Sequence, residues 1–275
     1  MDKNLKENPK DDLFSKLTRK YGDRDGKFLH KVVRSASYHQ SVQDLVAFTG
    51  LSFDEVCERV LLKAGDHRHF VDEFKWDRPS SPNELNWFYR SQRGYLFGNA
   101  SRPEWEALGV LGVTGEQHRV LDFGGGIGQN SLALAERGFS AHYFDISITQ
   151  AEFVRFRAKI HAANILVVEP YYNGRFNYLD CLPGGYHAVL CQDVLEHIPR
   201  YPVVLEALAG KLLPGGLLVE YSPFNGKAQG KKMPRHSPVH LSEAVPLEKV
   251  MTGLGLQKTA LAPYPSTAWR KGEPA

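Results

Sequence analysis

The stretch VLDFGGGIGQN, residues 120–130, decides how the chain folds. It holds a short apolar run, one acid, and then four glycines within five positions. A glycine-rich turn that follows a strand and opens a helix brings backbone N–H groups close to a ligand of the nucleotide type. The stretch therefore predicts a nucleotide-like cofactor at this turn, and the acid helps to decide which one.

The spacing of the glycines argues against a dinucleotide. The G-x-G-x-x-G fingerprint would need a glycine where the chain has Gln129, and the observed pattern is D-x-G-x-G-x-G, starting at Asp122. A carboxylate two residues before Gly124 would repel a pyrophosphate but would suit a ligand with an ammonium group. S-adenosylmethionine carries an ammonium, a sulfonium, an adenine and a ribose, and no phosphate. It is the cofactor that the sequence predicts.

Short β-branched or aromatic runs alternate with helices from about residue 118 onward. The predicted strands are RVLDF (119–123), SAHYFDI (140–146), RFNYLD (175–180), HAVLCQDVL (187–195) and LLVEYSPF (217–224). The predicted helices between them are QNSLALAER (129–137), TQAEFVRFRAKIHAAN (149–164) and VVLEALAGKL (203–212). This alternation predicts an α/β fold with a parallel sheet between helices.

Two further acids are predicted at the ends of neighbouring strands. Asp145 ends the second strand, 23 residues after Asp122, which is near the spacing that brings an acid to ribose hydroxyls. Asp180 is predicted to end the third strand, where a carboxylate can accept a hydrogen bond from the adenine amine. All three acids are expected at one crevice, at the carboxyl edge of the sheet.

With these segments the chain resembles the class I S-adenosylmethionine-dependent methyltransferases, especially the small-molecule branch with the ubiquinone and menaquinone methylating enzymes. The matching segments are VLDFGGGIGQNSLALAERG (120–138), YFDIS (143–147), YLD (178–180), YHAVLCQDVLEHIP (186–199) and LLPGGLLVEYSPF (212–224). The resemblance implies a Rossmann-like, doubly wound, mostly parallel seven-stranded sheet that finishes with an antiparallel hairpin. LQKTALAPY (256–264) and the region around STAW (266–269) are the candidates for that hairpin.

The resemblance also implies roles for the cofactor residues. Asp122 and the glycine loop would hold the methionine end, Asp145 the ribose, and Asp180 with Cys181 the adenine. Gln192 falls where the fourth strand of the family lines the cofactor. The complete predicted cofactor set is Asp122, Phe123, Gly124, Gly125, Gly126, Gly128, Gln129, Asp145, Ile146, Asp180, Cys181, Gln192 and Asp193.

Histidines are the candidate catalytic bases, because methyl transfer to a hydroxyl requires a proton to be removed and imidazole titrates near neutral pH. We favour His197 in DVLEHIP, then His240 and His236 in the loop after the fifth strand. A structural role for His197 is the alternative. Asp193, Glu196 and His197 could also be read as metal ligands, but the sequence predicts no metal.

The first hundred residues predict a helical segment, and residues 101–275 the methyltransferase domain. The segment could be a lid, a wall of the acceptor pocket or a dimer interface. Tyr89, Tyr95 and Phe97 are the candidate acceptor-binding residues, with plain packing as the alternative. Ser52 and Glu55 match a capping box, with Phe53, Val56, Val60 and Leu61 following at helical spacing.

Residues 41–61 also resemble a helix-turn-helix, with a glycine between two helices. The second helix carries Asp54, Glu55 and Glu58 against Arg59, so its charge opposes DNA. Packing or dimerisation is the preferred interpretation, and a cofactor-sensing regulator is the alternative. His67 and His69 lie two residues apart, so on a helix they would point away from each other rather than bind one metal.

The composition bears on disulfides, nucleic-acid binding and location. The three cysteines show no metal or disulfide spacing, and a net charge of +3 gives nucleic-acid binding little support. The absence of a long apolar run and the polar amino-terminal residues predict a cytoplasmic protein with no membrane span. A basic loop, formed by Lys227, Lys231, Lys232 and Arg235, could bind an acidic group of the acceptor or touch RNA. The predicted function is methylation of a small-molecule acceptor, with an RNA or protein acceptor as the alternative.

Overall fold

The computed structural model describes residues 36–65, 95–100, 105–112, 118–169, 179–224, 243–263 and 265–273. These residues divide into two units, one formed by 36–65 and 95–100 and the other by the residues from 105 onward. The larger unit contains the predicted cofactor loop.

Seven strands of the larger unit form one sheet, in the order β3-β2-β1-β4-β5-β7-β6. β1 to β5 pair in parallel, whereas β7 runs antiparallel to both β5 and β6. The strands are β1 Arg119–Phe123, β2 Ser140–Phe144, β3 Ile165–Val168, β4 Tyr186–Gln192, β5 Leu212–Tyr221, β6 Leu256–Thr259 and β7 Thr267–Lys271. This sheet confirms the predicted doubly wound, mostly parallel α/β fold with its antiparallel hairpin.

Helices follow β1, β2 and β4, as the alternation predicts. Those of the larger unit are α4 Gln129–Glu136, α5 Ile148–Ile160, α6 Tyr201–Lys211 and α7 Leu247–Gly253, with short 3-10 turns at Glu106–Leu111 and Leu195–His197. The order reverses at β1, which pairs with β2 on one side and β4 on the other. Ligands of open α/β sheets bind at such a reversal, outside the carboxyl ends of the strands.

The predicted third strand is wrong. The structure places β3 at Ile165–Val168, directly after α5, whereas residues 175–178 lie outside the described part and Leu179 and Asp180 form a turn. Asp180 therefore does not end the third strand. The run ILVV escapes recognition because it has four residues and follows a helix without a glycine or proline between them.

Alternation along β1 sets the direction of each side chain. Leu121 and Phe123 enter the apolar cluster that includes Leu205 of α6. Val120 enters the opposite cluster, together with Leu134 of α4. Asp122 shares the face of Val120, so its carboxylate points toward α4.

The smaller unit is helical where it is described, with α1 Ala36–Thr49, α2 Phe53–Gly65 and α3 Tyr95–Ala100. The predicted capping box is confirmed, because Ser52 N donates to Glu55 Oε2 at 2.9 Å and Glu55 N donates to Ser52 Oγ at 3.3 Å. Val56 and Val60 are buried as expected, but Phe53, the first residue of α2, is 41% exposed. No helix among the described residues is long and apolar enough to cross a membrane.

Candidate active site

The glycine loop, residues 124–128, lies at the reversal point and is tied to the end of β2. Phe144 O accepts hydrogen bonds from Gly124 N at 2.8 Å and Gly125 N at 3.1 Å. Gly126 N donates to Asp145 Oδ2 at 3.0 Å, and Gly128 N donates to Gly125 O at 2.9 Å. These four N–H groups are thus used inside the protein, which disfavours a phosphate ligand that would need them.

Glycine is required in this loop for two reasons. Gly124, Gly126 and Gly128 have φ values of 72°, 56° and 75°, in the left-handed region that disfavours other residues. A Cβ on Gly124 would lie 2.4 Å from Val194 Cγ2, and one on Gly128 would lie 2.7 Å from Val154 Cγ2. Both distances are well inside van der Waals contact, so the loop packs against its neighbours without space for side chains.

Asp122 is buried, with 3% of its surface exposed, and its carboxylate is directed to the start of α4. Ser131 Oγ donates to Asp122 Oδ2 at 2.7 Å. Burial raises the pKa of Asp122 to about 6, against the opposing effect of its hydrogen bonds with Ser131 and Asn130. The observed role is to anchor α4 beneath the loop, and contact with the methionine end of a cofactor stays a prediction.

Asp145 follows β2 and is partly exposed at the crevice. Besides Gly126 N, its carboxylate accepts a hydrogen bond from Ser147 N, at Oδ1 and 2.8 Å. Burial raises the pKa of Asp145 to about 6, and the nearby charge of Asp122 adds to the rise. A carboxylate has about four acceptor positions, so the bonds from the N–H groups of Gly126, Ser147 and Ile146 leave capacity for a ribose hydroxyl.

Gln192 ends β4 and is partly exposed. Asn130 Nδ2, in the first turn of α4, donates to Gln192 Oε1 at 3.2 Å. Gln129, the first residue of α4, and Ile146, next to Asp145, are also partly exposed. The structure thus brings the loop, the β2 acid and the β4 amide to one edge of the sheet.

The segment after β4 brings three possible metal-binding side chains together. One ligand atom each from Asp193, Glu196 and His197 lie within 4.8 Å of one another. Glu196 is fully buried, and its Oε1 lies 3.7 Å from His197 Nε2. Asp193 has a left-handed φ of 59° and its N donates to Tyr221 O at 2.7 Å, which fixes the start of this segment.

Other predicted residues lie elsewhere. Phe123 is buried and its ring stacks on Phe144 with 5.2 Å between centroids, so its side chain belongs to the core. Asp180 is exposed in a turn, and Cys181 packs partly against the core beneath α6. Phe97 is buried in the smaller unit, with the Arg59 guanidinium 5.4 Å above its ring, which supports packing rather than acceptor binding.

Several predicted residues lie outside the described part of the chain. They are Tyr89, His236 and His240, together with His67, His69 and the basic loop residues Lys227, Lys231, Lys232 and Arg235. Tyr95 begins α3, and its side chain is not described.

Three residues of the site were missed from the sequence: Asn130, Ser131 and Tyr143. Tyr143 is buried in β2 and its hydroxyl donates to Gly126 O at 2.6 Å. Asn130 and Ser131 could have been suspected, because they are polar residues in the first turn of a helix that begins at the loop. Their hydrogen-bond partners depend on the fold and could not be read from the spacing.

A cavity of about 400 Å³ lies at the opposite, amino edge of the sheet. Its lining includes His118, His187 and Arg270. The rings of His118 and His187 stack with 4.2 Å between centroids. None of its lining residues belongs to the glycine loop, where the cofactor is predicted to bind.

The strand order, the reversed β7, the glycine loop at the reversal point and the carboxylate after β2 together define a class I S-adenosylmethionine-dependent methyltransferase. Comparison with known proteins agrees, because the model of the methyltransferase domain family matches residues 85–252. The chain belongs to this family, as the sequence predicts.

Curated relatives match part of the chain. The chain is 30% identical over 118 residues to a ubiquinone biosynthesis O-methyltransferase of Erwinia tasmaniensis, covering 43% of this chain and 46% of the relative. It is 35% identical over 104 residues to the enzyme of that name from Xanthomonas campestris pv. campestris, covering 36% and 41%. The chain therefore spans less than half the length of these two relatives. Among solved structures, geranyl diphosphate methyltransferase with GPP and sinefungin superposes with a TM-score of 0.48 at 15% identity, covering 60% of this chain and 76% of that one.

Proposed function

We propose that this protein transfers a methyl group from S-adenosylmethionine to an oxygen of a small-molecule acceptor. One observation supports the proposal above all: the glycine loop, Asp145 and the segment Asp193–His197 lie together at the carboxyl edge of the sheet. Family membership supports methyl transfer, and the names of the curated relatives support an oxygen acceptor.

The loop and Asp145 would hold the cofactor, by the resemblance and by their geometry. The loop N–H groups already donate hydrogen bonds to Phe144 O, Asp145 and Gly125 O. The carboxylates of Asp122 and Asp145 lie next to the loop. Such a site suits a cationic amino-acid tail and a ribose rather than a pyrophosphate. Asp180 and Cys181 stay the proposed adenine contacts. When bound, S-adenosylmethionine supplies a methyl group already activated on its sulfonium.

His197 is the proposed general base. Its imidazole would accept the proton of the acceptor hydroxyl when that oxygen takes the methyl group of bound S-adenosylmethionine. The Glu196 carboxylate, 3.7 Å from His197 Nε2 and shielded from water, favours the imidazolium that results. Glu196 is thus a positioning and electrostatic residue beside the base.

A metal-assisted version of this reaction is the second candidate. Asp193, Glu196 and His197 have the donor chemistry for a divalent cation, and their convergence favours one. A cation held there would supply Lewis-acid polarisation of the acceptor oxygen. Removal of metal separates the two candidates: turnover after chelation and gel filtration supports His197 as a base, and loss of turnover restored by Mg²⁺ or Zn²⁺ supports the cation.

Titration calorimetry with S-adenosylhomocysteine tests the proposed cofactor site. Asp145→Ala should weaken binding about tenfold or more, because it removes the acceptor for ribose and the bond to Gly126 N. Glu152→Ala, at an exposed position of α5, is the matched control and should bind as the unaltered protein does. Equal affinity in both variants would contradict the site. The homodimer through residues 1–100, the domain division and the cytoplasmic location stay predictions.

A further inference from the structure

Asn130 forms a hydrogen-bonded link between the segment before the sheet and the end of β4. Its Oδ1 accepts a hydrogen bond from Trp105 N at 3.1 Å, and its Nδ2 donates to Gln192 Oε1 at 3.2 Å. The Trp105 ring is fixed separately, since its Nε1 donates to Ser266 Oγ at 3.0 Å. Asn130 is 9% exposed and Trp105 is 7% exposed, so the link is shielded from water.

The chemistry of these groups leaves one orientation for each amide. A backbone N–H can only donate, so the end of Asn130 that meets Trp105 N must be the carbonyl oxygen. The other end is therefore the amino group, which can only donate. It donates to the oxygen of Gln192 and also hydrogen-bonds the Asp122 carboxylate. The amino group of Gln192 is then the end that does not face Asn130.

We propose that Asn130 is a positioning residue that fixes the Gln192 amide so that its amino group is presented to the cofactor. Gln192 is partly exposed at the carboxyl end of β4, so this end of its side chain can meet a ligand. It offers two N–H donors, which suit a carboxylate, a hydroxyl or a ring nitrogen. The inference rests on the proposed function, because it assumes that S-adenosylmethionine binds at this edge.

Reversing the amide tests the inference. Asn130→Asp keeps an oxygen to accept from Trp105 N but has no donor for Gln192. We expect Gln192 to turn over, donate to the new carboxylate, and present its oxygen to the cofactor. The new carboxylate also lies beside Asp122, and this charge effect is common to both backgrounds of the cycle described below. A cofactor acceptor atom would then face another acceptor, so S-adenosylhomocysteine should bind about tenfold more weakly.

A double-mutant cycle separates this effect from the added charge. Gln192→Met has no amide to turn over, so Asn130→Asp should change the affinity in that background by less than about twofold. The local charge is the same in both backgrounds, and Asn164→Asp, at an exposed position, controls for charge at a distance. Equal losses in the two backgrounds would overturn the role of Asn130.

Two further results keep the test decisive. If Asn130→Asp does not fold, Gln192→Glu replaces it, because its carboxylate still accepts from Asn130 but has no donor for the cofactor. Gln192→Glu should show the same loss of affinity, whereas unchanged affinity would overturn the inference. Failure of the unaltered protein to bind S-adenosylhomocysteine would instead contradict the proposed function.

Discussion

The carboxylate of Asp145 joins the glycine loop to the end of β2, because it accepts hydrogen bonds from both Gly126 N and Ser147 N. Its pKa, raised to about 6 by burial and by the charge of Asp122, lies close to the pH at which many enzymes work. Asp122 has a pKa raised to the same value by burial. The charge of the loop region therefore changes between pH 5 and 7, which gives the proposed cofactor site a testable pH dependence.

Cofactor affinity should depend on this charge. Above pH 7 both acids are ionised, so Asp122 favours the ammonium of S-adenosylhomocysteine and Asp145 accepts from its ribose, and the affinity should be constant. Below pH 6 they take up protons, and binding must displace those protons. We expect at least about a tenfold loss of affinity between pH 7.5 and 5. Calorimetry in buffers of different ionisation enthalpy should show proton release at pH 6, and a flat profile would contradict the role of these acids.

His197 has a different expected effect, on turnover rather than on binding. His197→Ala should lower kcat about a hundredfold or more, since a positioned base typically contributes that much. The affinity for S-adenosylhomocysteine should be unchanged. His161→Ala, at an exposed turn after α5, is the matched control. A kcat equal to that of the control would exclude His197 as the base.

At the scale of elements, the turn between β1 and α4 is tightly constrained. Its glycines combine left-handed backbone with close packing against Val194 and Val154. Gly138, which follows α4, has a similar φ of 81° but has no atom within 4 Å of a Cβ position. Substituting alanine at Gly138 should therefore measure the cost of backbone strain alone, whereas the same change at Gly124 adds the cost of a clash with Val194.

Gly124→Ala should destabilise the protein by about 2–4 kcal/mol, because it adds an overpacking cost to the backbone strain. Gly138→Ala should lose about 1 kcal/mol from strain alone. Urea unfolding of both variants measures the difference. Adding Val194→Ala should recover part of the loss at position 124 and none at position 138. Equal losses in the two single variants would show that the contact with Val194 carries no energy.

Elements with a strong local signal could be predicted from the sequence, and others could not. RVLDF matches β1 because an apolar run ends in an acid and a glycine turn, and β6 and β7 are confirmed where the hairpin was expected. β3 was misplaced because the break before it occurs at Ala162, whose left-handed φ of 49° no residue preference indicates. Asp145 and Gln192 could be placed by their strand ends, but the link from Asn130 to Trp105 joins residues 25 apart and depends on the fold.

Across the whole molecule, buried titratable groups have opposite effects on acid stability. In the middle of β2, burial lowers the pKa of His142 to about 4, with a smaller contribution from Arg119. His142 binds fewer protons in the folded protein than in the unfolded chain. Its contribution to the free energy of unfolding therefore decreases as the pH falls from about 6.5 to 4. The pKa values of three buried acids are raised, so the contribution of each acid to the free energy of unfolding increases as the pH falls. These acids are Asp122, Asp145 and Glu220.

Glu220 offers the clearest test of this balance, because it lies in β5 outside the proposed site and is 4% exposed. Burial raises its pKa to about 7, and the neighbouring polar side chains of Ser222, Trp269 and Thr267 oppose this rise. The folded state holds a proton here that the unfolded chain releases near pH 4.5, so the free energy of unfolding should fall as the pH rises from about 4.5 to 7 and then level off.

Glu220→Gln carries no charge and should be more stable than the unaltered protein at pH 8 by about 1–2 kcal/mol, but not at pH 5. Urea unfolding at both pH values, with exposed Glu206→Gln as the control, measures this difference. A constant difference between the two proteins at pH 5 and 8 would show that Glu220 is ionised throughout in the folded state.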